Sequence, residues 1–359
     1  MITVEKVLGA LRYVDDPDLK KDIVTLGMVK DVKAEGKNVS FTVVLTTPAC
    51  PMKEMIHNAC VNAVKHFVDK EAVVDVTMTA QVKQSSHAGK QAIPGIKNII
   101  AVASGKGGVG KSTVASNLAA AMAQQGAKVG LLDADIYGPS IPMMFDVLNE
   151  KPQSRKVDGK ALMIPVESYG VKILSIGFFS APSQAIIWRG PMAAKALNQL
   201  IFDADWGELD YLFIDLPPGT GDIHMSLVGA VPVTGVIMVT TPQQVALSDA
   251  RKGAAMFRHE QIKVPLLGVV ENMSWFTPAE LPNNKYFIFG QGGAQQLADE
   301  FGIPLLAQIP LVQSIAEAGD AGRPAVFQQG TPQANAFLLA AGRVAQALAV
   351  KNAHAEVAG

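Results

Sequence analysis

Cysteine is scarce in this chain, which carries Cys50 and Cys60 and no third. Two cysteines in so long a chain argue against a disulfide scaffold and suit a reducing compartment. Neither cysteine has the spacing of a metal site, and the six histidines are scattered without forming a ligand-spaced cluster. Surplus charge is also lacking. A formal net charge of −1 leaves no global basic field to recruit nucleic acid or an anionic membrane. No apolar run approaches the length of a membrane span, because glycine, proline or charge interrupts each one. The first stretch, MITVEKVLGALRYVDDPDLKKD, has no basic segment leading into an apolar run and does not read as a signal peptide. Repeats and low-complexity segments are absent. These absences lead to the expectation of a soluble cytoplasmic protein with no nucleic-acid or membrane partner.

The composition is 49% hydrophobic and 18% charged with 32 glycines, which fits a loop-punctuated α/β enzyme. At 359 residues the chain has room for two domains. Residues 1–83 read as a small α+β domain. VEKVLGALRYV has helical spacing, MVKDVKAEGKNVSFTVVLTT reads as two strands about a Glu-Gly-Lys-Asn turn, a helix is expected from Pro51 to Phe67, and AVVDVTMTAQV reads as a third strand. Residues 84–97 are polar, hold glycines and a proline, and form the best linker. From 98 to 350 short apolar runs alternate with helical stretches: IIAVAS, AKVGLLDAD, VKILSIG, YLFIDLPP, TGVIMVTT, PLLGVVENM and LLAQIP. Continuous apolar strands separated by helices specify a doubly wound, mostly parallel sheet. Residues 351–359 read as a frayed tail.

The strand IIAVAS runs into GKGGVGKST and then into the helix VASNLAAAMAQQ. Gly105, Gly110, Lys111 and Ser112 satisfy the phosphate-loop spacing in the required order of strand, loop and helix. Glycines let the backbone N–H groups of Gly105, Lys106, Gly107, Gly108, Val109, Gly110, Lys111, Ser112 and Thr113 curl around phosphate oxygens. Lys111 is expected to reach the β- and γ-phosphates, and the Ser112 hydroxyl to hold Mg²⁺. Asp215 ends the buried strand YLFID, where ligands bind in open α/β sheets. Asp133 and Asp135, two residues apart, are expected to face the same way. One would support the metal shell, a role given to Asp133, and the other would orient the attacking water.

Lys106 is a second lysine where one suffices. The full variant GKGGVGKS resembles the signature of deviant P-loop ATPases. In that class two subunits sandwich two nucleotides, and this lysine contacts phosphate in the opposite site. Further segments, LLDADIYGPSIP, WRGPM, FIDLPPGTGD, TTPQQVALSDARKGAAMF and ENMSWF…YFIFGQGGA, look like the Mrp/ApbC family of iron–sulfur cluster carrier ATPases. DPDLKKDIVTLGMV and TTPACPMK resemble the small domain that recurs in iron–sulfur assembly factors. The resemblance implies a homodimeric Mg-ATPase that serves iron–sulfur scaffolds and apo-acceptor proteins. It gives Lys106 a role in trans, makes Asp135 the residue that positions the water, puts Asp215 in the γ-phosphate switch, and brings Asn272 to the adenine.

One departure matters. Most members of this family carry a Cys-x-x-Cys pair after the ENMS strand, whereas this chain reads WFTPAELPNNKYFIFG, with Thr277 and Glu280 about where the pair should stand. Hard oxygen ligands replace thiolate poorly on iron–sulfur. Two readings remain open. Cys50, expected just before a helix N-terminus that favours thiolate, supplies a cluster ligand; or the chain is an assembly ATPase that holds no cluster itself. Cys60 reads as a buried apolar residue. A positioning ATPase of the MinD or ParA kind is the remaining alternative. It calls for a basic amphipathic tether, and the alanine-rich C-terminal segment does not supply one.

Overall fold

A computed structural model of the chain describes residues 2–85, 92–157, 159–179, 190–278, 280–281 and 283–358. The chain separates into two compact units, residues 1–83 with 345–359, and residues 84–344.

In the first unit, α1 (Val4–Leu11) starts at Thr3, whose hydroxyl caps the Lys6 amide at 3.3 Å. A two-residue bridge of β1 (Asp15–Asp16) and β2 (Lys21–Asp22) follows. Strands β3 (Val29–Glu35) and β4 (Asn38–Leu45) pair antiparallel across a turn in which Gly36 takes φ +62°. Helix α2 (Lys53–Phe67) then crosses over, so that β5 (Val73–Ala80) lies parallel to β4. The alternation in β4 buries Val39, Phe41, Val43 and Leu45 against Val7 and Leu11 of α1 and Ile56, Cys60 and Val64 of α2.

In the second unit the seven apolar runs become β6 (Ile96–Ser104), β7 (Val129–Asp133), β11 (Val171–Ser175), β12 (Leu209–Asp215), β13 (Gly235–Thr240), β14 (Leu266–Glu271) and β15 (Leu305–Gln308). All seven run parallel, and β10 (Val166–Ser168) adds an antiparallel edge. The order is β10-β11-β7-β12-β6-β13-β14-β15. Every residue of β7, β12 and β13 is buried, as strands covered on both faces require. The helices are α3 (Lys111–Gln124), the short α4 (Ile141–Met144), α5 (Gly190–Phe202), α6 (Asp222–Ala230), α7 (Gln244–Arg258), α8 (Gly293–Phe301), α9 (Gln313–Asp320) and α10 (Pro332–Ala358).

Three features differ from the sequence reading. The hairpin of β8 (Gln153–Val157) and β9 (Lys160–Ile164) was not expected, because β8 is polar and exposed and neither strand alternates apolar with polar residues. Residues 351–358 continue α10 instead of fraying. Within the expected linker, residues 86–91 lie outside the described residues, and Ile96 and Lys97 already belong to β6. Among the described residues no helix is long and apolar enough to cross a membrane.

Candidate nucleotide site

The sheet brings the carboxyl ends of β7, β12 and β6 side by side, with Asp215 in register with Asp133 on one flank and Val102 on the other. The loop between β6 and α3 therefore opens directly beside the two strand-end carboxylates. Its glycines are demanded by geometry at two positions. A Cβ on Gly105 would lie 2.1 Å from the backbone carbon of Asp249 in α7. Gly110, which precedes α3, sits at φ +79°, and its Cβ would fall 2.2 Å from Asn272 Nδ2.

Lys111, the first residue of α3, points back into the site and is 6% exposed. Its ammonium lies 2.7 Å from Asp215 Oδ1, 3.5 Å from Asp135 Oδ2 and 3.3 Å from the Ser112 hydroxyl. The Ser112 hydroxyl in turn donates to Asp215 Oδ2 at 2.6 Å. Burial pushes the Asp215 carboxyl up, and the Lys111 ammonium and the Ser112 hydroxyl pull against that shift. The Lys111 ammonium and the Asp215 carboxylate thus neutralise one another within the site.

Asp133 and Asp135 do not act as an equivalent pair. Strand β7 ends at Asp133, so the alternation expected to align them stops there. Asp133 is fully buried and accepts from the Ser175 hydroxyl at 2.9 Å, the Ile141 amide at 3.3 Å and the Asp135 amide at 3.2 Å. Burial, and next the Asp215 charge, push it up to about 8. Its oxygens organise the loop that carries Asp135, whereas Asp135 faces Lys111. The carboxylate that shares Ser112 is Asp215, not Asp133.

Asn272 lies at the end of β14 and donates from Nδ2 to the Val109 carbonyl at 2.9 Å. It braces the phosphate loop from behind, an occupation distinct from the adenine contact that the resemblance implies. Thr113 is half-buried on α3, and Gly107 and Gly108 are exposed at the tip of the loop. Lys106 is half-buried and its carbonyl accepts from the Ser104 hydroxyl at 3.0 Å. Its side chain has no hydrogen bond or ion pair among the described residues.

The cysteines are both in the first unit. Cys60 is fully buried and its thiol is pushed up to about 12 by burial. Cys50 is half-buried, and burial, then the charges of Asp18 and Asp16, push its thiol up as well. That reverses the expected thiolate preference, because two carboxylates and burial outweigh the helix start at Lys53. Among the described residues no group of three histidine, cysteine or acidic side chains could hold a metal ion. Where the family's cysteine pair would fall, Thr277 is half-buried and Glu280 is exposed, and the Lys285 ammonium lies 4.0 Å over the Trp275 ring.

Sequence reasoning missed three residues around this site. Ser175 holds Asp133, and no local pattern marks it. Glu271, next to Asn272, is buried and accepts from the Ala294 amide and from Gln308. His224 is buried on α6 and its Nε2 lies 2.8 Å from the Pro217 carbonyl. Its position one helical turn beyond the Gly-Thr-Gly that follows Asp215 could have singled it out from the other histidines.

Residues 95–345 match the family model of the NUBPL iron-transfer P-loop NTPases, and residues 4–78 match that of iron–sulfur cluster assembly proteins. An iron–sulfur cluster carrier protein of Synechocystis is 48% identical over 92% of this chain and 93% of its own length. A chloroplast Fe-S cluster assembly factor of rice is 45% identical over 89% of this chain and 59% of its own length. A nucleotide-binding protein of Archaeoglobus fulgidus, solved in complex with ADP, superposes with a TM-score of 0.56 at 37% identity, covering 66% of this chain and 90% of that one. With its phosphate loop, its strand-end carboxylates and these matches, the chain belongs to the iron-transfer P-loop NTPase family that includes the iron–sulfur cluster carrier proteins.

Proposed function

We propose that this protein binds Mg-ATP at Gly105–Thr113, hydrolyses it as a homodimer, and uses that cycle to bind iron–sulfur clusters or help transfer them to apo-acceptor proteins. The observation that carries the reading is the contrast between two lysines on one loop. Lys111 is enclosed by Asp215, Asp135 and Ser112, whereas Lys106 finds no partner among the described residues of its own chain. A cation left over after one pocket is neutralised suits phosphate in a second copy's pocket. There it would stabilise charge on the transferring phosphoryl group as an arginine finger does.

The donor set fits Mg²⁺. The Ser112 hydroxyl and the Asp215 carboxylate are hard oxygen ligands already 2.6 Å apart, and bound Mg²⁺ would supply charge neutralisation on the phosphates. On nucleotide binding Lys111 turns from Asp215 to the β- and γ-phosphates. Asp135, freed of Lys111, accepts a hydrogen bond from the attacking water and orients it.

The cluster is cargo in this scheme. Four thiolates are the usual complement, and Cys50 is the one thiol with any exposure. The remaining ligands come from donor, acceptor or a second copy. The raised Cys50 thiol favours brief custody over durable storage.

Lys106→Ala is expected to keep the fold, to abolish ATP-dependent dimerisation in sedimentation, and to lower turnover at least tenfold. Unchanged turnover refutes the role in trans. Anaerobic reconstitution with iron and sulfide, followed by transfer to an apo-acceptor, tests the cargo. Transfer no faster than free iron and sulfide, for wild type as for Cys50→Ala, refutes cluster handling.

A further inference from the structure

The segment between Asp215 and α6, residues 216–221, forms one wall of a cleft of about 480 Å³ whose lining includes Asp135, Pro217, Gly221 and His224. Two of its backbone groups are anchored to the phosphate-loop strand: the Leu216 amide donates to Val102 at 3.0 Å and the Gly219 amide to Ser104 at 2.9 Å. Pro217 and Pro218 offer no amide. The carbonyl between them is gripped from the opposite side by His224 Nε2 at 2.8 Å. Pro218 reaches the phosphate loop itself, 3.9 Å from where a Cβ on Gly107 would stand. A shift in Pro217 therefore passes to both the loop tip and the wall facing Asp135.

A carbonyl only accepts, so His224 Nε2 carries the proton of that bond. Burial, and after it the Lys111 charge, hold the ring below the ordinary histidine range, while the carbonyls of Pro217 and Gly221 and the charge of Asp135 oppose them. In the neutral ring Nδ1 is then a bare acceptor. It is buried and has no hydrogen-bond partner among the described residues. Burying an acceptor without a donor is costly, so the bond that fixes this ring in place is the one its Nε2 makes to Pro217.

We propose that His224 is a positioning residue for hydrolysis, holding the Pro217 carbonyl so that the loop after Asp215 presents its wall to the terminal phosphate beside Asp135. The proposal rests on the ATPase reading above. In this role Nε2 alone acts, and Nδ1 is a tolerated cost. The two nitrogens can be separated by substitution. Glutamine places an amide N–H near the position of Nε2, asparagine places its amide near Nδ1, and leucine fills the space with neither.

The experiment uses the full chain and reads the thermal midpoint, the affinity for a fluorescent ATP analogue, and kcat with Mg-ATP. His224→Leu removes an unpaired buried acceptor but leaves the buried Pro217 carbonyl without its donor, so it is expected to fold and to melt near or below the wild-type temperature. It should bind the analogue within about threefold of wild type and lose at least tenfold in kcat. His224→Gln should recover kcat to within about threefold, and His224→Asn should not. A leucine variant with wild-type kcat overturns the proposal, as does a glutamine variant no more active than asparagine. If leucine does not fold, the contrast between glutamine and asparagine decides alone. If wild type itself does not hydrolyse ATP, the underlying reading fails. The grip is then read from amide hydrogen exchange across 216–221 with the analogue bound, which His224→Asn should speed and His224→Gln should not; equal exchange in both overturns the proposal independently.

Discussion

Alanine at Gly110 should cost the nucleotide-free protein about 2–5 kcal/mol, and the cost should be shared with Asn272 instead of adding to it. The first part is conformational. Gly110 sits at φ +79°, and a Cβ in the left-handed region costs about 1–2 kcal/mol. The second part is eviction. The new Cβ would stand 2.2 Å from Asn272 Nδ2, so the amide must leave the Val109 carbonyl that it holds at 2.9 Å. Val109 is buried, and an acceptor stripped of its partner there costs about 1–3 kcal/mol. Asn272→Ala alone loses the same bond and should cost about 1–3 kcal/mol. In the double variant the bond is already gone, so only the strain at position 110 is added. The double variant should therefore match Gly110→Ala, falling short of the sum of the singles by about 1–3 kcal/mol, the worth of the shared bond. The assay is urea unfolding without nucleotide, followed by tryptophan fluorescence. Trp206 and Trp275 belong to the unit of residues 84–344, so their signal reports the unit that holds the site. Losses that add to within about 0.5 kcal/mol would mean that Asn272 does not brace the loop.

Two further substitutions test the charges of the site. Lys111→Ala leaves the fully buried Asp215 without its cation and should destabilise the nucleotide-free protein by about 3–5 kcal/mol at high pH. The loss should shrink as pH falls and Asp215, whose carboxyl burial already pushes up, takes up a proton. Unchanged unfolding at every pH would mean that Lys111 meets only phosphate. Asp133, pushed up to about 8, binds its proton more tightly folded than unfolded. It therefore lowers stability progressively as pH rises from about 4, its unfolded value, to about 8. Asp133→Asn should flatten that part of the profile and gain on wild type with rising pH. Parallel profiles for the two proteins would refute the assignment.

The fold was legible wherever burial imposed a repeating pattern. A parallel strand covered on both faces must be apolar throughout, so all seven runs from IIAVAS to LLAQIP could be read as strands. Asp215 and the phosphate loop then fell at their carboxyl ends by topology alone. The β8–β9 hairpin escaped because its exposed side chains obey no such constraint. Asp133 and Asp135 were misjudged for a local reason. Period-two reasoning holds only while the strand lasts, and β7 stops at Asp133. Cys50 shows the limit of neighbour-based chemistry. Its helix start was visible in the sequence, but the carboxylates of Asp16 and Asp18, more than thirty positions earlier, reach it only through the fold. Asn272 and the Val109 carbonyl, 163 positions apart, meet for the same reason.

The charges of the site also bear on why two lysines share one loop. Asp133, Asp135 and Asp215 cluster at the strand ends, and among the described residues Lys111 is the cation paired with Asp135 and Asp215. At an effective dielectric of about 20, a second ammonium placed about 4 Å from the Asp135 carboxylate would gain about 4 kcal/mol of Coulomb energy. A lysine able to serve its own pocket would be drawn there while no phosphate competes. Lys106 is not drawn in. Its carbonyl is held by the Ser104 hydroxyl, and its side chain remains unpaired among the described residues despite that local field. The loop geometry that withholds Lys106 from its own carboxylates leaves its charge available to a nucleotide outside them. That is the arrangement expected if hydrolysis must wait for a second subunit, because a pocket able to complete itself would turn over before any partner, or cargo, had arrived.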